Sequence, residues 1–369
     1  MQIGQRLKFA RQAVGYTIQK ASREARIGES SISEFENSKR EPKFSQLAKL
    51  AEVYKKPVEF FLGEEPIVQN MMLWRQKPSM GGAKEKTEAE FNQLCEQYHK
   101  LEVLTDELRR VSLPQSAVKN ANEFSYQEAC SLAEKALKEF QLGDRPSSSL
   151  KQILEESFYV KIFHLDFSGS AISTNSEIFG SAILLNGKSK AWRRNYDLAH
   201  ELFHLLTWHI FRTAASQENE PSEIEEKLAN AFASRLLLPT DSVKERIEAY
   251  ADDDGKVSYE ALDEVAREFG VSLGALFWRM VSLYNKSPEE VEQHLAKAKT
   301  AAFRRPPRQS DTSDTLPERY CSLAIKALRE GRLSLMQFAK YVRITYKKAQ
   351  EYLAEDEDFT DEKASISLA

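Results

Sequence analysis

Ala199-His200-Glu201-Leu202-Phe203-His204-Leu205-Leu206 is the stretch on which the reading of this chain turns. His200 and His204 are four residues apart, so on a helix both imidazoles leave from one face. That spacing suits a single zinc ion. Glu201 adjoins the first histidine and is placed to act as general base on a water that the ion activates. Leu202, Leu205 and Leu206 fall on the other faces and anchor them. Working outward, SAILLN (181–186) reads as a strand that enters this helix through a short polar loop. Downstream, EEKLANAFASRLLLP (225–239) reads as an amphipathic helix stopped by Pro239. A site with two histidines needs a third protein ligand, commonly a carboxylate. Glu226 is the choice, with Glu223 and Glu225 as alternatives. Asn230, one turn later, is placed to brace a ligand histidine by a hydrogen bond.

Further out, helices are expected near 86–110, near 125–140 up to Gly143 and over LKQILEES, and a strand over YVKIFHL. His164 on that strand reads as a packed histidine, His209 lies off the ligand face, and His99 and His294 read as plain helix residues. The stretch PIVQNMMLWRQKPSMGGAKEK has the prolines and Gly-Gly of a linker, and RRPPRQSDTSDTLP (304–317) reads as a second one. Residues 318–355 regain helical spacing before an acidic tail.

The first 65 residues have a different character, with 12 Lys+Arg against 9 Glu and no Asp in a chain whose net charge is −4. A basic head on an acidic chain permits contact with nucleic acid. Ile3, Leu7, Ala10 and Val14 mark one face of a first helix that Gly15 ends. Thr17 caps a second helix over 17–25, and Arg26-Ile27-Gly28 make a tight turn. A third helix, about 28–37, turns Ile32 and Phe35 inward and presents Glu29, Ser30, Ser33 and Glu34. Leu47 and Leu50 mark a fourth helix, and Val58, Phe61 and Leu62 a fifth. A short helix with small polar outward residues fits the major groove, and the basic residues after it, Lys39, Arg40 and Lys43, suit phosphates. Ser31 adds a further hydroxyl for bases or phosphates.

Other chemistries find no support in the motifs. No P-loop or dinucleotide fingerprint occurs, and no serine or cysteine nucleophile arrangement is suggested. Cys95, Cys130 and Cys321 are odd in number and far apart, which argues against a disulfide framework. No apolar run is long enough for a membrane span, and MQIGQRLKFARQ lacks an apolar signal core, so a cytoplasmic protein away from membranes is expected.

Two family resemblances follow from these residues. IGQRLKFARQAVGYT together with SISEFENSKREPKFSQLAKLAEVYKKPVEFFL resembles the XRE/Cro-type helix-turn-helix family. Where the family's second helix begins Thr-Gln, this chain has Thr17-Ile18, with the glutamine at Gln19. The block 124–300 resembles the ImmA/IrrE-type metallopeptidase-like family, through Asn186, Tyr196–Leu206, Glu226-x-x-Ala229-Asn230, Leu236-Leu237-Leu238-Pro239 and VSLGALFWRM (271–280). Here Phe203 stands where that family commonly has glycine, and Tyr196-Asp197 where it has Phe-Thr. The resemblance implies a gluzincin-like site with His200, His204 and Glu226 on Zn2+ and Glu201 as base.

The expected fold is α+β and mostly helical. A five-helix DNA-binding domain (1–65) is followed by a linker and connecting helix (66–123), a zincin-like domain with a small β-sheet (124–300) and a helical C-terminal region (318–355). The segment 316–342 resembles a tail often appended to such regulators. The expected function is a transcriptional regulator that binds a double-stranded operator, as a homodimer in the manner of such heads. Its zinc-dependent domain would cleave a repressor or antitoxin under stress. The alternatives are a repressor that senses a ligand or metal without hydrolysis, and an antitoxin or phage-defence regulator.

Overall fold

A computed structural model describes residues 3–63, 70–76, 82–212, 220–300 and 316–359. The fold is α+β and mostly helical, as the sequence leads one to expect.

The head is five helices: α1 (Ile3–Ala13), α2 (Ile18–Ala25), α3 (Glu29–Glu36), α4 (Phe44–Val53) and α5 (Val58–Leu62). Leu7, Ala10, Val14, Ile32, Phe35, Leu47, Leu50 and Phe61 close one apolar core, while Leu62 is 57% exposed and lies outside it. Thr17 caps α2 by accepting from the Lys20 amide, and Arg26 ends it in the left-handed region at φ 53°. Gly4 lets α1 and α3 approach closely, because a Cβ there would sit 2.4 Å from the Phe35 carbonyl oxygen. Glu36 is buried and receives both Arg11 Nε, at 2.6 Å, and Nη2, at 2.8 Å, so this carboxylate holds α1 to α3.

The rest is built around a four-stranded mixed sheet. Its strands are β1 (Leu73–Trp74), β2 (Lys161–Leu165), β3 (Ala171–Ser176) and β4 (Gly180–Asn186), in the spatial order β1-β3-β4-β2. β3 pairs antiparallel with both β1 and β4, and β2 runs parallel to β4. β2 and β4 lie where the sequence places strands. β1 falls inside the stretch whose composition reads as a linker.

Alternation along the strands gives the sheet two apolar faces. Ile162, Ala171, Ile183 and Leu185 point to the front, against α7 (Tyr126–Glu139), α8 (Pro146–Glu156), α9 (Ala191–Leu206), the short α10 (Trp208–Phe211) and α11 (Glu223–Leu237). α12 (Thr240–Glu248), α13 (Tyr259–Glu268), α14 (Leu273–Tyr284) and α15 (Pro288–Thr300) extend that layer. Phe163, Leu165, Ile172, Ala182 and Leu184 point to the back, against α6 (Ala83–Leu104), α16 (Glu318–Arg329) and α17 (Leu335–Tyr341), with α18 (Tyr346–Phe359) beyond. The connecting helix and the C-terminal helices therefore form the rear layer of the sheet. The head rests on α6 through Ala89 and a Lys56–Glu96 ion pair of 2.6 Å.

Cys95, Cys130 and Cys321 are free thiols. Among the described residues, no helix is long and apolar enough to cross a membrane.

Candidate functional site

α9 and α11 pack side by side on the front of the sheet and bring the chemistry together. α9 carries His200, Glu201 and His204, all buried. α11 starts at Ser222, whose hydroxyl accepts from the Glu225 amide. Its first turn holds Glu223, Glu225 and Glu226, where the helix dipole and unpaired amides favour carboxylates.

His200, His204 and Glu226 converge, with one ligand atom from each lying within 4.8 Å of the others. The two Nε2 atoms are 3.3 Å apart, and Glu226 lies 3.3 Å from His200 Nε2 and 3.5 Å from His204 Nε2. Donors about 2.0–2.1 Å from one tetrahedral zinc lie roughly 3.3–3.4 Å from each other, so the spacing fits the ion. The far side of each imidazole is fixed as well. His200 Nδ1 is 3.2 Å from Asn230 Oδ1, and His204 Nδ1 is 2.9 Å from Glu225 Oε1. Both neighbours are acceptors, so each Nδ1 carries a hydrogen and each Nε2 faces the shared point.

The electrostatics agree with a cation site. Burial holds the His200 pKa down at about 3, which keeps that ring neutral. Burial also opposes charge on His204, but the carboxylates of Glu225 and Glu226 outweigh it and raise its pKa. Arg212 answers Glu225 with contacts of 2.8 and 2.9 Å. Both oxygens of Glu201 are buried with only Ser173 beside them, and Glu226 Oε1 faces only His204 Nε2, 3.5 Å away. An anion buried in this way is unfavourable by several kcal/mol, and a divalent ion at the shared point would relieve it.

Glu201 follows His200 directly and faces β3, where Ser173 lies beside its carboxyl. Burial pushes its pKa up to about 7. A carboxyl in that range exchanges a proton readily near neutral pH.

The alternatives for the third ligand separate cleanly. Glu223 is turned to solvent and pairs with Lys227 at 2.7 Å. Glu225 orients His204 rather than joining the triangle, a role that sequence reasoning missed. Sequence reasoning also missed Arg75, which follows β1. Its Nη1 is 2.9 Å from Asp197 Oδ1, its Nη2 donates to Asn230 Oδ1 at 3.4 Å, and its guanidinium lies over the Tyr196 ring. The Tyr196 hydroxyl donates to the Asn230 carbonyl at 3.1 Å. Thus Tyr196-Asp197, a departure from the family pattern, form the floor on which Arg75 and Asn230 rest. Phe203 packs among Phe124, Phe211 and Phe232 in the core, with its ring edge-on to that of His204. His164 is buried on the sheet's front face, and burial lowers its pKa to about 4.

In the head, Glu29, Ser30, Lys39, Arg40 and Lys43 are exposed, and Ser31 and Ser33 half-exposed. Glu29 is the first residue of α3, where its charge favours the helix dipole. Arg40 Nη2 donates to Ser31 Oγ at 2.8 Å, and the guanidinium lies over Phe35, so Arg40 is held against α3. Gln19 is exposed on α2, and the Thr17 hydroxyl is engaged as the cap.

Two comparisons with known proteins bear on this arrangement. Residues 7–61 match the family model described as helix-turn-helix, and residues 155–280 match the one described as IrrE N-terminal-like domain. The HTH-type transcriptional regulator ImmR of Bacillus subtilis (strain 168) is 36% identical over 67 residues, which cover 18% of this chain and 53% of that protein. The chain thus spans about half the length of that curated relative. It carries an XRE-type helix-turn-helix domain and, after it, an ImmA/IrrE-type peptidase-like domain.

Proposed function

We propose that this protein binds an operator through its head and hydrolyses a protein partner, of the repressor or antitoxin class, at a zinc site formed by His200, His204 and Glu226. The observation that carries the reading is the ligand triangle with a fully buried carboxyl, Glu201, next to it. Zinc at this point would supply Lewis acidity for an attacking water and for the scissile carbonyl. The chain's own residues do the rest. Asn230 and Glu225 hold the two imidazoles in one tautomer. Glu201 accepts the proton from the attacking water and delivers it to the leaving amine. Arg212 pairs with Glu225 at 2.8 Å and holds it aimed at His204. The sheet and Phe203 keep the rear of α9 dry.

The DNA-binding half rests on α3 and the turn after it. Ser30, Ser31, Ser33 and Glu29 lie at the helix start that would meet base edges, with Gln19 and Thr17 on α2 and Lys39, Arg40 and Lys43 at the phosphates. Dimerisation on paired half-sites belongs to the same reading, as does a cytoplasmic setting.

The test mixes the purified protein, loaded with zinc, with candidate repressor or antitoxin partners, beside a Glu201→Gln variant. Cleavage by the wild type and none by the variant is expected. Equal cleavage by both would overturn the mechanism.

A non-hydrolytic sensing role is the second reading. It is favoured by a cavity of about 610 Å³ among α12–α15, with Ile247, Leu262, Phe277 and Met280 in its walls. If His200→Ala leaves regulation intact while Arg40→Ala abolishes it, the metal is dispensable and DNA binding is the core activity.

A further inference from the structure

A cleft of about 410 Å³ opens beside the metal centre, between α9, α11 and α14, with Arg75 at its edge. It begins one helical turn from the ligands, because Tyr196 precedes His200 and Asn230 follows Glu226 by four residues. Its walls hold three cations, Arg75, Arg193 and Lys227, and the large rings of Trp192, Trp278 and Tyr196. No carboxylate is among the residues that line it.

The charge balance there is positive. Asp197, buried beneath, is shared by Arg75 at 2.9 Å and Arg193 at 3.1 Å, so two guanidiniums answer one carboxylate. Among the described residues Lys227 pairs with Glu223 alone, an i,i+4 pair whose side chains are 72% and 84% exposed. Pairs of that kind are held weakly and yield to a better acceptor. Trp278 leaves 47% of its surface to solvent, although a ring of that size is usually buried unless something covers it. A concave patch of cations and half-covered tryptophans has the make-up of a recognition site.

We propose that this cleft is a specificity subsite for a peptide with acidic side chains next to an apolar one. Arg193 and Lys227 take the carboxylates, and Trp192 and Trp278 cover the apolar residue between them. The fate of the peptide rests on the peptidase reading given above, whereas its capture does not. Capture places the segment one turn from His200, so the subsite selects acidic stretches of a protein partner.

The experiment measures binding rather than turnover, in the full-length Glu201→Gln chain, by fluorescence anisotropy. The probes are three labelled, end-blocked octapeptides that differ only in a central Glu-Leu-Glu, Gln-Leu-Gln or Lys-Leu-Lys, together with a labelled oligothymidylate of the same net charge as the first. The glutamate peptide is expected to bind about 10-fold tighter than the glutamine one, and the lysine peptide weakest. Lys227→Glu and Trp278→Ala, both at exposed positions, are each expected to weaken it by about 10-fold with the melting temperature unchanged. Equal affinity for the three peptides, tighter binding of the oligothymidylate, or unchanged binding by Lys227→Glu would each overturn the proposal. If the glutamate peptide is captured as described while the zinc-loaded wild type cuts nothing, the peptidase reading fails and the subsite stands. If a protein partner is cut by the wild type and by Lys227→Glu alike, and the peptides bind equally, the subsite fails and the peptidase reading stands.

Discussion

Two buried carboxylates on opposite faces of one sheet are treated differently. Behind the sheet, Glu102 has Lys161 Nζ 2.9 Å from one oxygen and Arg319 Nη1 2.7 Å from the other. In front of it, Glu201 is equally buried, and among the described residues it forms no ion pair. The rear cluster is closed by groups the chain itself brings, from β2, α6 and α16. The front cluster gathers two imidazoles and the carboxylates of Glu201, Glu225 and Glu226, with Arg212 paired to Glu225, and leaves an excess of carboxylates over cations. A buried charge answered from within the chain holds elements together. The front cluster differs in that His200, His204 and Glu226 converge beside its carboxyl with the spacing of metal ligands.

Breaking the closed cluster should have the largest effect. Glu102→Ala strands Lys161, which is 3% exposed, and should cost about 3–5 kcal/mol in urea unfolding. A loss under about 1 kcal/mol would mean that the rear cluster is not what binds the C-terminal helices to the sheet.

The next effect comes from His164, a buried front-face histidine outside the ligand triangle, whose charged form is opposed by burial and by Lys151 and Arg194. Its folded pKa of about 4 lies below the unfolded value near 6.5, so the unfolded chain binds the extra proton between those pH values. Its contribution to stability is complete above about pH 6.5 and is lost as pH falls toward 4, by up to about 3 kcal/mol. His164→Leu should flatten the stability–pH curve in that window, and a variant curve parallel to the wild type would contradict it.

The groups that orient the ligands come third. Glu225→Ala frees one side of His204 and should weaken zinc affinity by about 100-fold, while Asn230→Ala should weaken it by about 10-fold. Competition with a chelating dye measures both. Smallest is Glu201→Gln in metal-free protein, which removes a carboxyl whose charged form burial disfavours. It should raise stability by about 1 kcal/mol, the opposite sign to Glu102→Ala.

Much of the front face was legible because it is local. The i,i+4 spacing of His200 and His204 and the amphipathic stretch that Pro239 stops put both elements of the front cluster in view, and the head's Thr17 cap and turns were equally close in sequence. What escaped was long-range or chemically quiet. β3, Ala171-Ile172-Ser173-Thr174-Asn175-Ser176, is small and polar yet buried, because it lies between two other strands. Arg75 reaches Asn230 across 155 residues from a stretch whose prolines and glycines read as a linker. The helices now numbered α6 and α16 each showed an apolar face, but nothing in the spacing says that both face the same sheet. Glu225 and Glu226 are neighbours in the first turn of one helix, and only the rotation between successive residues decides which meets Nε2 and which meets Nδ1.

The most direct test of a metal-holding front cluster is the metal content of the purified full-length chain beside His204→Ala, both dialysed after growth with zinc. One zinc per chain in the wild type and none in the equally helical variant is the expected result. A wild type without metal, or a variant that keeps its zinc, would contradict the account.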